Sequence, residues 1–260
     1  MRMRVIDMSG VVEQPNKGAS GLGRFIVLIY GVISYFLGVV GLVAIVALAS
    51  GLLPIGYLAI PSLGSPILSN VVLAALWGLV HSVMARDSFK SVLTRFIPEP
   101  AERPTYVLIA GVTSLLMVGL WQEVPGIIWS AQAPGLVTFL WIMFGFGWLY
   151  TLASTFAINH FDLFGLRQVY LHFQRQPRAP LNFVKRGMYK FSRHPIQTGV
   201  LIGVWFIPTM TATHLILSIG FTVYIFIGLW FEEKDLVKDI GEPYEQYRRE
   251  AGMFLPKFFK

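Results

Sequence analysis

Long apolar runs set the main limit on how this chain can fold. A helix needs about 20 predominantly apolar residues to cross the hydrocarbon core of a bilayer. Four runs qualify: Phe25–Ala49, Ile67–Met84, Tyr106–Trp121 and Leu136–Ala157. Composition agrees, because 13% of the 260 residues are charged, whereas a soluble domain carries about 25%. The sequence therefore predicts an all-α, polytopic helical membrane protein.

A fifth apolar stretch, Ile196–Phe231, is too long for a single span. Pro208 interrupts it, and a proline inside a helix removes an amide donor and clashes with the preceding turn. The pattern predicts a helical hairpin with a short arm, Ile196–Ile207, and a longer arm, His214–Phe231. Basic loops alternate with nearly uncharged ones, so we expect about six spans with both termini in the cytoplasm. Whether the short arm crosses fully stays open.

The remaining composition excludes several kinds of site. The chain has no cysteine, which rules out disulfides, thiolate metal sites and a cysteine nucleophile. Its five histidines form no obvious ligand pair, so no metal or haem is expected. The net charge of +7 is explained by basic cytoplasmic loops and not by a nucleic-acid partner.

Two groups of polar residues follow predicted spans, where ionisable side chains are costly in lipid and often functional. His81 ends the second span beside Arg86, and a run from Asn159 to Gln168, with His160 and Asp162, follows the fourth. Either group could line a ligand site. Alternatively, the first is an interfacial histidine beside a snorkelling arginine, and the second is a helix start capped by its histidine and aspartate.

The densest group of polar residues lies in the last third of the chain. Its members are Gly187, Tyr189, Arg193, His194, Pro195, Gln197, Gly199, Glu232, Glu233, Tyr244 and Tyr247. Pro195 suits the first turn of a helix, and free amides at that start, with Arg193, favour a carboxylate. The hairpin returns the two glutamates to the same membrane face. An arginine–glutamate pair there either forms an ion pair or clasps a zwitterionic ligand. The two late tyrosines share one helix face.

This pattern, over residues 187–256, resembles the isoprenylcysteine carboxyl methyltransferase superfamily of integral membrane enzymes, which use S-adenosylmethionine. A tyrosine is common in that superfamily where Gln197 stands, so an amide hydrogen bond would replace a ring contact. The resemblance implies that the methyl donor is bound by Tyr189, Arg193, His194, Pro195, Gln197, Gly199, Glu232, Glu233, Tyr244 and Tyr247.

The stretch from His81 to Tyr106, together with the run after the fourth span, is similar to the NnrU-like branch and within it to the methanethiol S-methyltransferases. That resemblance implies a bacterial inner-membrane enzyme that methylates a small thiol, methanethiol, to dimethyl sulfide. The implied catalytic residues are His81, Arg86, His160, Arg193 and Glu232. Because thiolates are the reactive form, we expect His81 or His160 to accept the thiol proton and Arg86 or Arg193 to favour the anion.

The resemblance divides the chain into three parts. Residues 1–24 form a cytoplasmic segment, 25–186 form membrane helices with acceptor-side loops, and 187–260 form the donor-binding hairpin and C-terminal helix. The alternatives are an isoprenylcysteine or phospholipid methyltransferase, or a non-enzymatic NnrU-like accessory membrane protein. A transporter is disfavoured, because its ionisable groups would lie at the membrane midplane, whereas here they crowd one face. The sequence does not define the oligomeric state.

Overall fold

The computed structural model describes residues 20–51, 53, 58, 64–178 and 185–257. Its helices are α1 Gly21–Ser50, α2 Pro66–Met84, α3 Asp87–Leu93, α4 Glu102–Leu120, α5 Pro134–Ile158, α6 His160–Leu163, α7 Leu166–Phe173, α8 Pro195–Trp205, α9 Ala212–Ile240 and α10 Glu242–Glu250. Two 3-10 turns, Glu99–Ala101 and Gly187–Lys190, and two short strands, β1 Ile127–Ser130 and β2 Thr209–Thr211, accompany them. The predicted all-α membrane class is confirmed.

Five helices in the described part of the chain are long and apolar enough to cross a bilayer: α1, α2, α4 with its preceding turn, α5 and α9. The bounds of α1, α2 and α5 lie close to the predicted ones, since bilayer thickness and apolar run length set them together. The predicted short hairpin arm is α8, whose 11 residues fall below the usual spanning length of about 20. The chain nevertheless passes here from the end of α5, where Arg186 bonds the carbonyl of Ala157, to β2 at the opposite end of the bundle.

The longer hairpin arm also differs from its prediction. α9 continues past Phe231 to Ile240, so Glu232 and Glu233 lie inside a helix and not in the loop after it. Of the predicted cytoplasmic segment 1–24, the structure describes residues 20–24, where the Ser20 hydroxyl caps α1 by accepting a hydrogen bond from the amide of Gly23 at 3.0 Å.

At the end of the bundle away from Glu232, backbone polar groups are paired. β1 and β2 form a two-stranded antiparallel sheet that ties the α8–α9 turn to the loop before α5. The Thr213 hydroxyl accepts from the amide of Val124 at 2.8 Å and donates to its carbonyl at 3.1 Å. Asn70 bonds the amide and carbonyl of Gln122, both at 2.8 Å. Such pairing is needed wherever backbone groups are buried.

Glycines bring two pairs of helices into close contact, as small residues do in membrane bundles. A Cβ added to Gly41 of α1 would lie 2.7 Å from the carbonyl oxygen of Gly111 in α4. One added to Gly147 of α5 would lie 2.7 Å from the carbonyl oxygen of Gly199 in α8. Gly199, a predicted donor-binding residue, therefore holds α8 against α5, and this contact fixes where the start of α8 lies.

Candidate functional site

The most connected polar cluster joins α8, α9 and α10 around the buried carboxylate of Glu233. Its Oε1 accepts hydrogen bonds from Arg193 Nε at 2.8 Å and from the Tyr244 hydroxyl at 2.9 Å, and it lies 2.6 Å from His194 Nε2. Its Oε2 lies 3.1 Å from Arg248 Nε. We call these five residues the Glu233 cluster. A buried charge is tolerated when it is paired and hydrogen-bonded in this way.

Within the Glu233 cluster, Arg193 links the start of α8 to the segment after α10. Besides its bond to Glu233, its guanidinium donates to the carbonyl of Ala251 at 2.6 Å. The side chain thus holds the segment after α10 against the start of α8. Of the two alternatives left by the sequence, an ion pair and a ligand clasp, the structure shows the ion pair. A direct role for Arg193 toward a methyl donor stays a prediction.

The tyrosines of α10 complete this attachment and lie on one helix face, with ring centroids 5.9 Å apart. The Tyr247 hydroxyl donates to the carbonyl of Tyr189 at 2.6 Å. Burial raises the pKa of Tyr244, and the neighbouring Glu233 carboxylate raises it further. Burial also raises the pKa of Tyr247. Both hydroxyls therefore stay protonated and act as donors at neutral pH.

Glu232 has a different environment from the residue that follows it. Its side chain is buried, and its charge acts on four tyrosines: Tyr106 of α4, Tyr189 before α8, Tyr224 of α9 and Tyr244 of α10. Burial raises the pKa of Tyr189, and the Glu232 carboxylate raises it further. A buried carboxylate with neutral tyrosines within range of its charge is an environment that attracts a cation.

His81 approaches the same region from α2. Its ring centroid lies 6.1 Å from that of Tyr106, one of the tyrosines on which the Glu232 charge acts. His81 Nδ1 lies 2.7 Å from the carbonyl oxygen of Trp77. Because a carbonyl only accepts, Nδ1 carries the proton, and the neutral ring has its lone pair on Nε2. Within the described residues no hydrogen bond reaches Nε2, so the ring is oriented as a proton acceptor.

Arg86 fixes the end of α2 against α9. Its guanidinium lies 3.7 Å from the carboxylate of Asp235 and 4.7 Å from the ring centroid of Phe231. These contacts hold the end of α2, which carries His81, against the segment of α9 that carries Glu232. The structure therefore brings Arg86 into the same region as His81, whereas its effect on an anionic acceptor stays a prediction.

His160 lies in a separate cluster between α1, α5 and α6. Its Nδ1 lies 2.8 Å from the Thr155 hydroxyl, and its Nε2 lies 3.0 Å from the Tyr35 hydroxyl. Since Thr155 donates its own hydrogen to the carbonyl of Leu152, it accepts the proton on His160 Nδ1. The ring also stacks on Phe156, with centroids 4.3 Å apart. Burial lowers the pKa of His160, so it is neutral at pH 7 with both nitrogens occupied.

The run from Asn159 to Gln168 forms a helix start. Asn159 caps α6 by accepting from the amide of Asp162 at 3.2 Å, so the capping residue is the asparagine and not His160 or Asp162. The Asp162 carboxylate pairs with Arg167 at 3.1 Å. The backbone carbonyl of Asp162 accepts a hydrogen bond from the Gln168 side chain at 2.8 Å. Most of these polar groups bond within the run, as a helix start requires, but Gln168 Oε1 is buried without a hydrogen-bond partner among the described residues.

The other predicted donor-binding residues lie around the start of α8. Pro195 occupies the first turn, with His194 directly before the helix, as the sequence predicts. The side-chain amide of Gln197 and the hydroxyl of Tyr189 have no hydrogen-bond partner among the described residues. These two groups are therefore able to bind a ligand without first breaking an internal bond.

Three residues of the site were not predicted from the sequence. Trp77 stacks close to His81, with ring centroids 4.1 Å apart, and its spacing of four residues on one helix was a usable signal. Tyr224 lies two helical turns before Glu232, and this spacing, which places the two residues on one side of α9, was also a usable signal. Arg248 directly follows Tyr247, but its approach to the Glu233 carboxylate depends on how α10 docks.

Several known proteins similar to this chain share one name. The methanethiol S-methyltransferase of Mycobacterium tuberculosis is 41% identical over 90% of this chain and 97% of its own length. That of Crocosphaera subtropica is 40% identical over 94% of this chain and 97% of its own length. Nurim of Sus scrofa is 26% identical over 60% of this chain and 62% of its own length. No protein-family model and no solved structure matches the chain.

Proposed function

Because the chain belongs to the methanethiol S-methyltransferase family, we propose that it is a membrane enzyme that transfers a methyl group from S-adenosylmethionine to methanethiol and releases dimethyl sulfide. One observation carries the assignment of the site. The charge of the buried Glu232 carboxylate acts on four tyrosines, one of which contacts a histidine that has an available lone pair.

The residues around Glu232 fit a sulfonium donor. A buried carboxylate and aromatic faces favour a positive charge, and the Tyr189 hydroxyl and Gln197 amide remain for the donor's polar groups. When bound, S-adenosylmethionine supplies a methyl group already activated by its sulfonium. We assign donor binding to Glu232, Tyr189 and Gln197. The Glu233 cluster, with Arg193, supports them by holding α8, α9 and α10 together.

On the acceptor side, we assign the proton acceptor to His81. The proton of methanethiol passes to His81 Nε2, which leaves the thiolate, the nucleophilic form. The bond from His81 Nδ1 to the carbonyl of Trp77 holds the ring in the tautomer that this step requires. His160 was an equal candidate from the sequence. Its two nitrogens are already occupied, so we assign it to the support of α6.

The proposal also includes an orientation of the protein in the membrane. Lysine and arginine concentrate in cytoplasmic segments, and the end of the bundle with Glu232 and Arg86 is the charged one, whereas β1 and β2 contain no charged residue. We therefore assign the Glu232 end and both termini to the cytoplasmic side of a bacterial inner membrane. Residues 25–186 then hold the acceptor side, and residues 187–260 hold the donor side.

A transfer assay tests the proposal. The purified protein in detergent is given S-adenosylmethionine with a labelled methyl group and, separately, methanethiol, a prenylated cysteine or phosphatidylethanolamine. We expect labelled dimethyl sulfide in the headspace and little label in the other two products. Preferential labelling of the prenylcysteine or the lipid would refute the thiol assignment in favour of those enzymatic alternatives.

A binding measurement separates the enzyme from a non-enzymatic accessory protein. We expect calorimetric titration to detect S-adenosylmethionine binding to the wild-type protein and a weaker affinity for Glu232→Gln. A matched control is Glu242→Gln, which alters an exposed carboxylate in α10. Absence of donor binding by the wild-type protein would exclude the proposed activity.

A further inference from the structure

Between Tyr224 and Glu232, α9 carries a glycine that borders open space. Tyr224, Gly228 and Glu232 are spaced by four residues, so they follow one another along one side of the helix. The ring of Tyr224 on this side lies 5.1 Å from that of Trp77 in α2, measured between centroids, so the side faces α2, and Gly228 itself is half-buried. Yet a Cβ built at Gly228 meets no described atom within 4 Å. Open space therefore borders α9 where it faces α2, one turn before the Glu232 carboxylate, and we call this space the gap.

The gap is local, because neighbouring glycines between α2 and α9 are tightly packed. A Cβ added to Gly78 of α2 would lie 2.9 Å from the ring of Tyr224, and one added to Gly220 of α9 would lie 3.4 Å from Cβ of Ala74. Packing is thus close on the side of Tyr224 that faces away from Glu232. The open space begins at Gly228, where the charged end of the bundle starts.

Aromatic rings bound the region next to this gap. The ring of Trp77 lies 5.1 Å from that of Tyr224 and 4.1 Å from that of His81, measured between centroids. Its indole N–H donates to the Ser114 hydroxyl at 2.9 Å, which fixes the ring in place. Sulfur makes favourable contacts with aromatic rings. A small thiol next to these rings would be close to the His81 lone pair and to the Glu232 carboxylate.

We propose that the gap at Gly228 is the binding compartment of the acceptor thiol, and that Gly228, with Trp77 and Tyr224 as walls, determines how large that acceptor can be. The inference rests on the proposed function and adds to it the site and the size limit of the substrate. The missing side chain at residue 228 leaves room for a methyl thiol, and the fixed indole ring blocks longer alkyl chains.

Substitutions that fill the gap test the inference. Gly228→Ala adds one methyl group and Gly228→Leu a full side chain, and one methylene in an apolar pocket changes selectivity by about 10- to 200-fold. We expect kcat/KM for methanethiol to fall about tenfold in Gly228→Ala and at least about 100-fold in Gly228→Leu. The calorimetric affinity for S-adenosylmethionine should stay within about twofold of wild type in both.

Gly145 of α5 supplies matched controls, because a Cβ there also meets no described atom within 4 Å. Gly145→Ala and Gly145→Leu make the same changes in another apolar helix, and leaving glycine raises helix propensity at both sites. We expect the two control variants to keep wild-type kcat/KM. Thermal unfolding in detergent should show that the Gly228 variants remain folded. If Gly228→Leu does not fold, Gly228→Ala alone tests the inference.

A substitution that enlarges the compartment provides the converse test. In Trp77→Ala, we expect the ratio of kcat/KM for propanethiol to that for methanethiol to rise by about tenfold or more. An unchanged ratio would overturn the size limit. Wild-type kcat/KM in the Gly228 variants, or a loss of donor affinity in place of acceptor efficiency, would overturn the compartment. In both cases wild-type dimethyl sulfide formation would still stand, whereas its absence would refute the proposed function itself.

Discussion

The region around His81 and the region around His160 lie toward the same end of the bundle, but they leave their histidines with different capacities. His81 uses one nitrogen to bond the Trp77 carbonyl, and no described residue bonds the other. His160 uses both, toward Thr155 and Tyr35. The unused hydrogen-bonding capacity, and not the presence of a histidine, therefore separates a candidate base from a structural residue.

The two regions differ because different side chains surround each ring. Next to His160, α1 and α5 supply hydroxyl groups, which are donors and acceptors in good geometry. Next to His81, Trp77 and Tyr106 present ring faces and edges at centroid distances of 4.1 Å and 6.1 Å. Rings exclude water and pack against the imidazole without occupying its lone pair. The predictions below test this difference, beginning with the largest expected effect.

Removing the His81 imidazole should abolish most of the activity. A positioned acid or base contributes about 10²- to 10⁴-fold, so we expect kcat/KM of His81→Ala for methanethiol to fall by that factor at pH 7. Dimethyl sulfide in the headspace, measured by gas chromatography, gives the rate. The donor affinity serves as the control and should be unchanged. A variant with near-wild-type kcat/KM would remove His81 from the chemistry.

The pH dependence of the same variant sharpens the comparison. Only neutral His81 accepts a proton, so wild-type kcat/KM should decrease as pH falls through the pKa of His81. His81→Ala depends on thiolate already present in solution, so its rate should rise about tenfold per pH unit until the free thiol is ionised. The ratio of wild-type kcat/KM to that of His81→Ala therefore decreases as pH rises. Parallel profiles would contradict the proton-acceptor role.

Replacing Glu233 should loosen the Glu233 cluster and thereby weaken donor binding. It should leave the cluster around His160 intact. Glu233→Gln keeps the shape of the side chain but leaves Arg193, whose side chain is 9% exposed, without its counter-charge. Breaking a buried ion pair costs about 3 to 5 kcal/mol. We expect faster proteolysis between α9 and α10, weaker donor binding and lower thermal stability. Glu242→Gln, an exposed change in the same segment, should have none of these effects.

The sequence predicted the spans and the arginine–glutamate pair better than the choice between histidines. Apolar run lengths located α1, α2 and α5, because bilayer thickness constrains them directly. The pairing of Arg193 with Glu233 was among the expectations, because a hairpin returns its second arm to the same membrane face. The partner of His160 was not predictable, since Tyr35 lies 125 residues away and reaches it only because α1 packs against α4 and α7.

Substitution of His160 should produce the opposite result to that of His81. His160→Ala removes the acceptor of the Tyr35 hydroxyl, whereas Thr155 keeps its bond to the carbonyl of Leu152, and an unsatisfied buried group costs about 1 to 3 kcal/mol. We expect a lower unfolding temperature in detergent. The kcat/KM of the folded protein should remain within about threefold of wild type, which is small beside a general-base effect. A loss of activity with unchanged stability would instead assign the chemistry to His160.

The smallest change tests whether an available nitrogen is sufficient for catalysis. Tyr35→Phe removes the hydroxyl that lies 3.0 Å from His160 Nε2, which should cost about 1 kcal/mol of stability and leave activity unchanged. His160 then has one unoccupied nitrogen, as His81 does, but it remains in the cluster between α1, α5 and α6 and not beside the tyrosines around Glu232. We therefore expect the double variant His81→Ala/Tyr35→Phe to be as inactive as His81→Ala alone. Rescue of dimethyl sulfide formation would mean that an unoccupied nitrogen matters more than its position, and the assignment of the acceptor side to α2 and α9 would fail.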